Sequence, residues 1–144
     1  MAHTTSFRVR FSEIDPYRHV NHAVYVSWLE AGRVEALEDV GMGLDLLQRD
    51  GIQVVITSIE VRFKKPAVAG DVVTIETEVA SVRRASSQWR QRVMRGDEEL
   101  IVADVHIAVC DDTGKPMRPP AGFMDRLTTL GDQIPVGSVA PGLE

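Results

Sequence analysis

A carboxylate and the start of a helix lie close together near the beginning of the chain. Asp15 comes seven residues ahead of His22, and His22 and Ala23 follow Asn21, a residue type that favours helix N-caps. The first turn of a helix presents backbone N–H groups without partners inside the helix and a partial positive charge. Both features suit an oxygen that becomes negative during acyl transfer. The spacing therefore predicts a reaction site in which Asp15 acts on the group that those amides hold.

These residues also have plainer interpretations. An Asp-Pro pair such as Asp15-Pro16 is a common turn opener, and Asn21 can serve only as a cap or can also orient Asp15 and a water. His19 and His22 could join Asp15 as metal ligands. A His-x-x-His pair that straddles a helix start, with no further ligand nearby in sequence, is weak evidence for zinc. We therefore expect no metal and no cofactor.

The elements that must position this site are a strand before it and a helix after it. The segment ahead of Asp15 alternates apolar residues with arginines, as a strand with one buried face does. These residues are Phe7, Arg8, Val9, Arg10 and Phe11. Residues 21–40 have helical spacing with one apolar stripe, and Gly41 suits a helix stop. Gly32 in that stripe costs about 1 kcal/mol relative to alanine, so we predict that it marks close packing of helix against sheet.

Four further segments are predicted to be strands that pair as an antiparallel meander. They are residues 52–64, 72–82, 86–95 and 100–110, with Gly and Pro turn signals between them. In the first of these strands alternate residues are expected to share one face, and these are Val55, Thr57, Ile59, Val61 and Phe63. A short helix is predicted within 121–130. One long helix lying across a curved sheet makes an α+β domain.

Composition limits the class of protein. The chain has 144 residues, a formal charge of -5 and 44% apolar residues, which predicts one domain over 1–130, and the Pro- and Gly-rich residues 131–144 are expected to be disordered. Neither a continuous apolar segment long enough for a membrane span nor a signal peptide is evident, which favours the cytoplasm. The lone Cys110 fits a small buried hydrophobe. The acidic balance disfavours a nucleic-acid partner.

Five short motifs occur in order along the chain. They are Asp15, His19-Val20-Asn21-His22-Ala23-x-Tyr25, Glu30-x-x-Arg33, Ile59-x-Val61-x-Phe63-x-x-Pro66 and Gly70-Asp71. Over roughly residues 5–127 the chain therefore resembles the hotdog-fold acyl-CoA thioesterases of the 4-hydroxybenzoyl-CoA thioesterase type. The resemblance implies a hotdog fold, in which a five-stranded antiparallel sheet wraps one long central helix. It also implies a hydrolase that cleaves acyl-CoA thioesters to free acid and CoA.

The resemblance also implies roles for particular residues. Asp15 is the catalytic carboxylate, acting as general base or as nucleophile, and the backbone N–H groups around His22 and Ala23 are the oxyanion donors. It implies a homodimer joined edge to edge, with acyl sites where one helix start meets the partner's second strand. A long apolar edge at residues 52–63 supports this, because pairing with a second copy removes an exposed edge. Whether such dimers pair into homotetramers is left open.

Several residues are candidates for contacting the substrate. Tyr17 and Arg18 border the reacting group, and Arg18 and His22 depart from the family, in which many members have glycine and asparagine there. Tyr25 is expected to be a core residue before it is a substrate contact. Because strand residues alternate between faces, only one of Thr57 and Ser58 can reach a neighbour's acyl pocket. Four cations beside turns could contact the phosphates of CoA, although such residues usually only solvate an edge. These are Lys64, Lys65, Arg83 and Arg84.

Two other functions remain as alternatives. A hotdog-fold enoyl-thioester hydratase or dehydratase would use Asp15 with His19 or His22, but the Asp-x-x-x-x-His pattern of hydratases is not met. A non-catalytic acyl-CoA-binding dimer would need only the pocket. The substrate carrier is expected to be coenzyme A, with acyl carrier protein as the other possibility, because both present a phosphopantetheine arm.

Overall fold

A computed structural model describes residues 2–131 of the chain. Its strands are β1 (His3–Arg8), β2 (Ile52–Phe63), β3 (Val72–Val82), β4 (Ser86–Arg95) and β5 (Glu98–Asp111). Its helices are α1 (His22–Asp39), α2 (Leu44–Arg49) and α3 (Phe123–Thr128), and short 3-10 turns span Phe11–Glu13 and Thr129–Gly131. The predicted long helix, the four later strands and the short helix near the end are confirmed. The predicted tail at 131–144 lies outside the described residues except for Gly131.

The five strands form one antiparallel sheet in the order β1-β3-β4-β5-β2. The predicted meander is therefore correct for β3, β4 and β5 but wrong for β2, which pairs with β5 along its whole length. β3 has no free edge for β2, because β1 occupies one side and β4 the other. β2 is consequently an edge strand, with four large apolar side chains between 38% and 53% exposed: Val55, Ile56, Ile59 and Phe63.

A β-bulge in β2 changes which of its residues share a face. The register with β5 shifts between Ile56 and Ser58, so that Thr57 is the extra residue. Ile56 lies opposite Ile107 and Ile59 opposite Val105, on the buried face of β5, whereas Val55 lies opposite Ala108 on the other face. The predicted shared face is therefore wrong for Val55 and Thr57, because a bulge is invisible to simple alternation.

The long helix packs closely against the concave face of the sheet. Leu29 and Ala36 are 0% exposed in this contact. A Cβ atom built on Gly32 would lie 2.8 Å from Cγ2 of Ile75 and 3.0 Å from Oγ1 of Thr77. The expectation that Gly32 permits close helix–sheet packing is thus confirmed.

A buried polar network lies under the same turn of the helix. Gln91 of β4 donates from Nε2 to the Leu29 carbonyl at 2.8 Å and to Thr77 Oγ1 at 3.0 Å, and it accepts from Arg33 at 2.8 Å. Gln91 is 0% exposed, so these bonds satisfy a polar group that would otherwise be costly to bury. The network fixes the height and rotation of α1 above the sheet, and therefore the position of its N-terminus. None of the helices between residues 2 and 131 is long and apolar enough to cross a bilayer.

Candidate active site

Asp15 opens a tight hairpin turn between the first 3-10 turn and α1. Ile14 and Val20 form an isolated antiparallel bridge, and inside it Asp15 N donates to the His19 carbonyl at 2.8 Å. Oδ1 of Asp15 accepts from the backbone N–H groups of Tyr17 at 2.8 Å and His19 at 3.2 Å. Oδ2 has no partner within residues 2–131. The turn-opening interpretation of Asp15 is therefore correct, and the same turn holds one carboxylate oxygen while leaving the other available.

The start of α1 has one free amide and one engaged amide. Asn21 accepts from Ala23 N at 2.9 Å through Oδ1, which confirms the predicted N-cap. The Ala23 amide is therefore occupied by the chain's own side chain. The His22 N–H has no acceptor in the part of the chain that the structure describes. The helix start thus presents His22 N–H as a ready donor, and Ala23 N–H becomes one only if Asn21 releases it.

A cleft of about 320 Å³ brings several predicted site residues together. We call it the inner cleft, and its lining residues are Asp15, His19, Val20, His22, Tyr25, Phe63, Lys64, Lys65 and Pro66. The hairpin turn supplies the acid, α1 supplies the free amide, and the end of β2 supplies two lysines. Asp15, His22, Tyr25, Lys64 and Lys65 were all predicted from the sequence, and they converge here although 50 positions separate the first from the last.

The two lysines at the mouth of the inner cleft are already paired. Lys65 Nζ lies 2.8 Å from Glu98, and Lys64 bonds to Glu99. Hydrogen bonds from Lys65 and Arg95 hold the pKa of the Glu98 carboxyl below its usual value, and the bond from Lys64 does the same for the pKa of Glu99. A substrate phosphate would have to compete with these carboxylates for the lysines.

Other predicted contact residues do not lie in the inner cleft. Tyr17 is 81% exposed on the turn. Thr57 and Ser58 lie at the middle of the edge strand, where Thr57 donates to the His106 carbonyl. Arg83 and Arg84 lie in the β3–β4 turn, at the end of the sheet near Ala108, whereas Phe63 lies opposite Ile101. These two positions are seven residues apart along β5, or about 23 Å, so a single chain does not bring these arginines to its own Asp15.

Comparison with known proteins decides the family. Residues 9–127 match the family model of the thioesterase-like superfamily. The chain belongs to the thioesterase-like superfamily. The long-chain acyl-CoA thioesterase FadM of Escherichia coli is 31% identical over 109 residues, which cover 75% of this chain and 82% of FadM. The resemblance seen in the sequence and the α+β hotdog fold are both confirmed.

A plant relative and a solved structure extend this comparison. The chloroplastic acyl-acyl carrier protein thioesterase ATL3 of Arabidopsis thaliana is 27% identical over 126 residues, covering 86% of this chain, and the chain spans 66% of ATL3. The crystal structure of a probable thioesterase from Bartonella henselae superposes with a TM-score of 0.79 at 31% identity. That match covers 83% of this chain and 100% of the other.

Two buried aromatic residues of α1 make hydrogen bonds to the segments beside the hairpin turn. Trp28 is 5% exposed and donates from Nε1 to Glu13 at 2.8 Å, and Glu13 also accepts from Arg10 N at 2.8 Å. Tyr25 is 3% exposed and accepts from Ala67 N at 2.8 Å, and burial raises the pKa of its hydroxyl. Sequence reasoning missed Glu13 and Ala67. The available signal was that a buried Trp or Tyr usually needs a polar partner.

Loss of the Tyr25 hydroxyl should destabilise the fold. In Tyr25→Phe the N–H of Ala67, a residue that is 0% exposed, loses its acceptor. We expect the free energy of unfolding to fall by about 1–3 kcal/mol, measured by urea denaturation. Tyr17→Phe removes a hydroxyl from an exposed residue and should leave that free energy unchanged. Equal stability of Tyr25→Phe and wild type would show that the hydrogen bond contributes nothing.

A second depression borders the other side of Asp15. We call it the outer groove, and it has a volume of about 580 Å³, lined by Phe11, Ile14, Asp15, Arg18, Val68 and Ala69. Phe11 was predicted to lie on the buried face of the first strand, but β1 ends at Arg8 and Phe11 begins a 3-10 turn, where it is 88% exposed. The strand pattern simply continued past the true end of the strand.

Arg18 has an unusual backbone conformation in the hairpin turn. Its N–H donates to the Asp15 carbonyl at 3.0 Å, and its φ of 66° is the only positive φ of a non-glycine residue between residues 2 and 131. A turn followed by one left-handed residue is a common short hairpin, and glycine is the natural residue there. An arginine in this region costs about 1–2 kcal/mol.

Among the described residues, no group of three or more His, Cys, Asp or Glu side chains is placed to hold a metal ion. His19 and His22 line the inner cleft with Asp15 but do not converge on one point with it.

Proposed function

We propose that this protein hydrolyses acyl-CoA thioesters to a free acid and CoA, with Asp15 as the catalytic carboxylate. The observation that carries the proposal is the inner cleft, where a carboxylate with one free oxygen and a helix-start amide without an acceptor line the same space. Membership of the thioesterase-like superfamily and the likeness to FadM, which is named for this activity, support it.

The proposed reaction proceeds through water. Oδ2 of Asp15 takes a proton from a water whose oxygen attacks the thioester carbonyl carbon. The carbonyl oxygen becomes negative and accepts from His22 N–H, where the helix dipole favours the charge. The tetrahedral species then collapses: the C–S bond breaks, and the leaving thiolate takes the proton from Asp15. Direct attack by Asp15, giving a mixed anhydride that water then cleaves, uses the same geometry.

Coenzyme A is the carrier that we favour. FadM is named for acyl-CoA substrates, whereas ATL3 is named for acyl carrier protein substrates and is longer than this chain. Lys64 and Lys65 lie at the inner cleft and can exchange their carboxylate partners for phosphates. Arg83 and Arg84 could contribute only from another copy of the chain. The cytoplasmic location stays a prediction.

The proposal is tested with a panel of aromatic, short-chain and long-chain acyl-CoAs that includes an enoyl-CoA, and with a thiol reagent that reports free CoA. Hydrolysis of at least one member, with stoichiometric release of acid and CoA, is the expected result. Addition of water to an enoyl-CoA without CoA release would favour a hydratase instead. Tight binding without either reaction would favour a non-catalytic acyl-CoA-binding protein. The panel also identifies the preferred acyl group and, with matched acyl carrier protein substrates, the carrier.

We further propose that two copies of the chain pair through β2. This strand has 12 residues at an unpaired edge and carries partly exposed apolar side chains, which would otherwise invite aggregation. Such a dimer places Thr57 and Ser58 at the interface. The side chain of Ser58 lies on the convex face opposite His106, so Thr57, the bulged residue, is the better candidate for reaching a partner's acyl pocket.

The dimer makes a simple prediction about mass. Ile59→Lys adds a charge to the β2 edge and should reduce the mass in solution from twice the chain mass of 15.9 kDa towards a single chain. Thr4→Lys adds the same charge to β1, at the other edge, and should leave the mass unchanged. Light scattering after size exclusion measures both. A monomeric wild type would refute the pairing, and a mass of four chains would show that the dimers pair into a homotetramer.

A further inference from the structure

The outer groove combines an unpaired cation with apolar walls directly beside the proposed catalytic acid. Arg18 and Asp15 both line it, and Phe11, Ile14, Val68 and Ala69 supply the apolar surface. Within residues 2–131 the guanidinium of Arg18 makes neither an ion pair nor a hydrogen bond. Asp15, the acid nearest in sequence, directs Oδ1 to the amides of Tyr17 and His19 instead. The cation is thus available to a ligand.

The backbone conformation of Arg18 is a second observation that points to a role for its side chain. The left-handed conformation at this position would be relaxed with glycine and is strained with arginine. Strained residues persist where the surroundings enforce them, and they concentrate at ligand-binding sites. The turn itself needs only a residue with positive φ, so nothing in its hydrogen bonding explains a long cationic side chain.

A second arginine is bonded to the chain just beyond the lining of this groove. Arg8 donates to the Gly70 carbonyl at 2.9 Å, and Gly70 directly follows the wall residue Ala69. A volume of about 580 Å³ is within the usual range for a small-molecule site. The groove therefore suits an anionic group attached to an apolar or aromatic body that can lie on Phe11.

We propose that Arg18 is a specificity-determining residue that binds an anionic oxygen group of the thioester substrate in the outer groove. This rests on the proposed thioesterase function. The anion is either a phosphate of the CoA carrier or a carboxylate at the far end of a dicarboxylic acyl group. Both present oxygens that a guanidinium binds in a forked geometry, and an ammonium group would replace it only in part.

The test compares Arg18→Asn, Arg18→Lys and wild type. Asparagine tolerates the left-handed conformation without the charge, so the turn should persist and the melting temperature should not fall. Arg118→Asn is the matched control, because Arg118 is an exposed arginine in the loop that follows β5, remote from the turn. Calorimetry gives the Kd of CoA and of pantetheine, which has no phosphate. The KM of glutaryl-CoA and butyryl-CoA tests the acyl group.

The two sources of the anion give different results. If Arg18 binds a CoA phosphate, Arg18→Asn should raise the Kd of CoA by about tenfold or more and leave the Kd of pantetheine unchanged. Arg18→Lys should restore part of the lost affinity for CoA. If Arg18 binds an acyl carboxylate, Arg18→Asn should leave the Kd of CoA and the KM of butyryl-CoA unchanged. The KM of glutaryl-CoA should rise by a similar factor. Unchanged values in both arms, or equal weakening of CoA and pantetheine, would overturn the proposal.

Failure of this inference is distinguishable from failure of the proposed function. Binding of CoA and pantetheine does not require hydrolysis. If no thioester is cleaved, glutaryl-CoA and butyryl-CoA become stable ligands, and their Kd values replace the KM values in the second arm. The role of Arg18 is therefore decided in either case.

Discussion

Asp15→Asn should reduce the kcat for acyl-CoA hydrolysis by about 10²- to 10⁴-fold while changing KM little. The asparagine side chain keeps an oxygen that can accept from the amides of Tyr17 and His19, so the turn is preserved. What it loses is the second carboxylate oxygen, which has no partner in residues 2–131 and which we propose takes the proton from water. Steady-state kinetics on the best acyl-CoA from the panel measures the loss.

The control for this variant is an exposed carboxylate elsewhere in the chain. Asp45 lies in the first turn of α2, away from the inner cleft, and Asp45→Asn should retain wild-type kinetics. Thermal unfolding of both variants should match wild type, which separates lost chemistry from lost fold. If Asp15→Asn kept more than a tenth of the wild-type kcat, the assignment of Asp15 as the catalytic carboxylate would be wrong.

Gly32→Val should lower the free energy of unfolding by about 2–3 kcal/mol. A Cβ atom at this position would already lie 2.8 Å from Ile75 and 3.0 Å from Thr77, and valine adds two methyl groups in the same space. The helix must then move away from the sheet and stretch the bonds that join Gln91 to Leu29 and Arg33. Because the same helix carries His22, catalytic activity should fall together with stability.

Ala31→Val is the matched control for this overpacking. Ala31 is the neighbouring residue on the exposed side of α1, so valine there changes helix propensity without meeting the sheet. We expect Ala31→Val to lower the free energy of unfolding by about 0.5 kcal/mol. Urea denaturation of both variants provides the comparison. If the two variants lost the same free energy of unfolding, the close approach at Gly32 would not constrain the packing of the helix.

Most of the architecture could be predicted because its signals are local. The bounds of β3 and β4 follow from alternation and from glycine-containing turns. Asn21 and Gly41 bracket the long helix, since capping depends on residue type at one position. The ordered motifs around Asp15 identified the family, and the family predicted the fold.

The errors arose where a pattern was broken by geometry. The bulge at Thr57 reversed the faces of β2 on one side of it, and β2 paired with β5 because β3 already had neighbours on both sides. Phe11 continued the strand pattern although the chain had turned away. None of these features leaves a mark in hydrophobic periodicity.

By itself the sequence determined the class of domain, the family and the residue types that could carry the chemistry, because composition, periodicity and motif order are properties of the linear chain. Only the tertiary structure decided which of those residues lie together. It joined Asp15, His22 and Lys64 in one cleft, separated Arg83 and Arg84 from them, and engaged Ala23 with Asn21. The physical reason is that a site depends on distances and on which hydrogen-bonding groups remain unpaired, and both are set by packing between segments far apart in the chain.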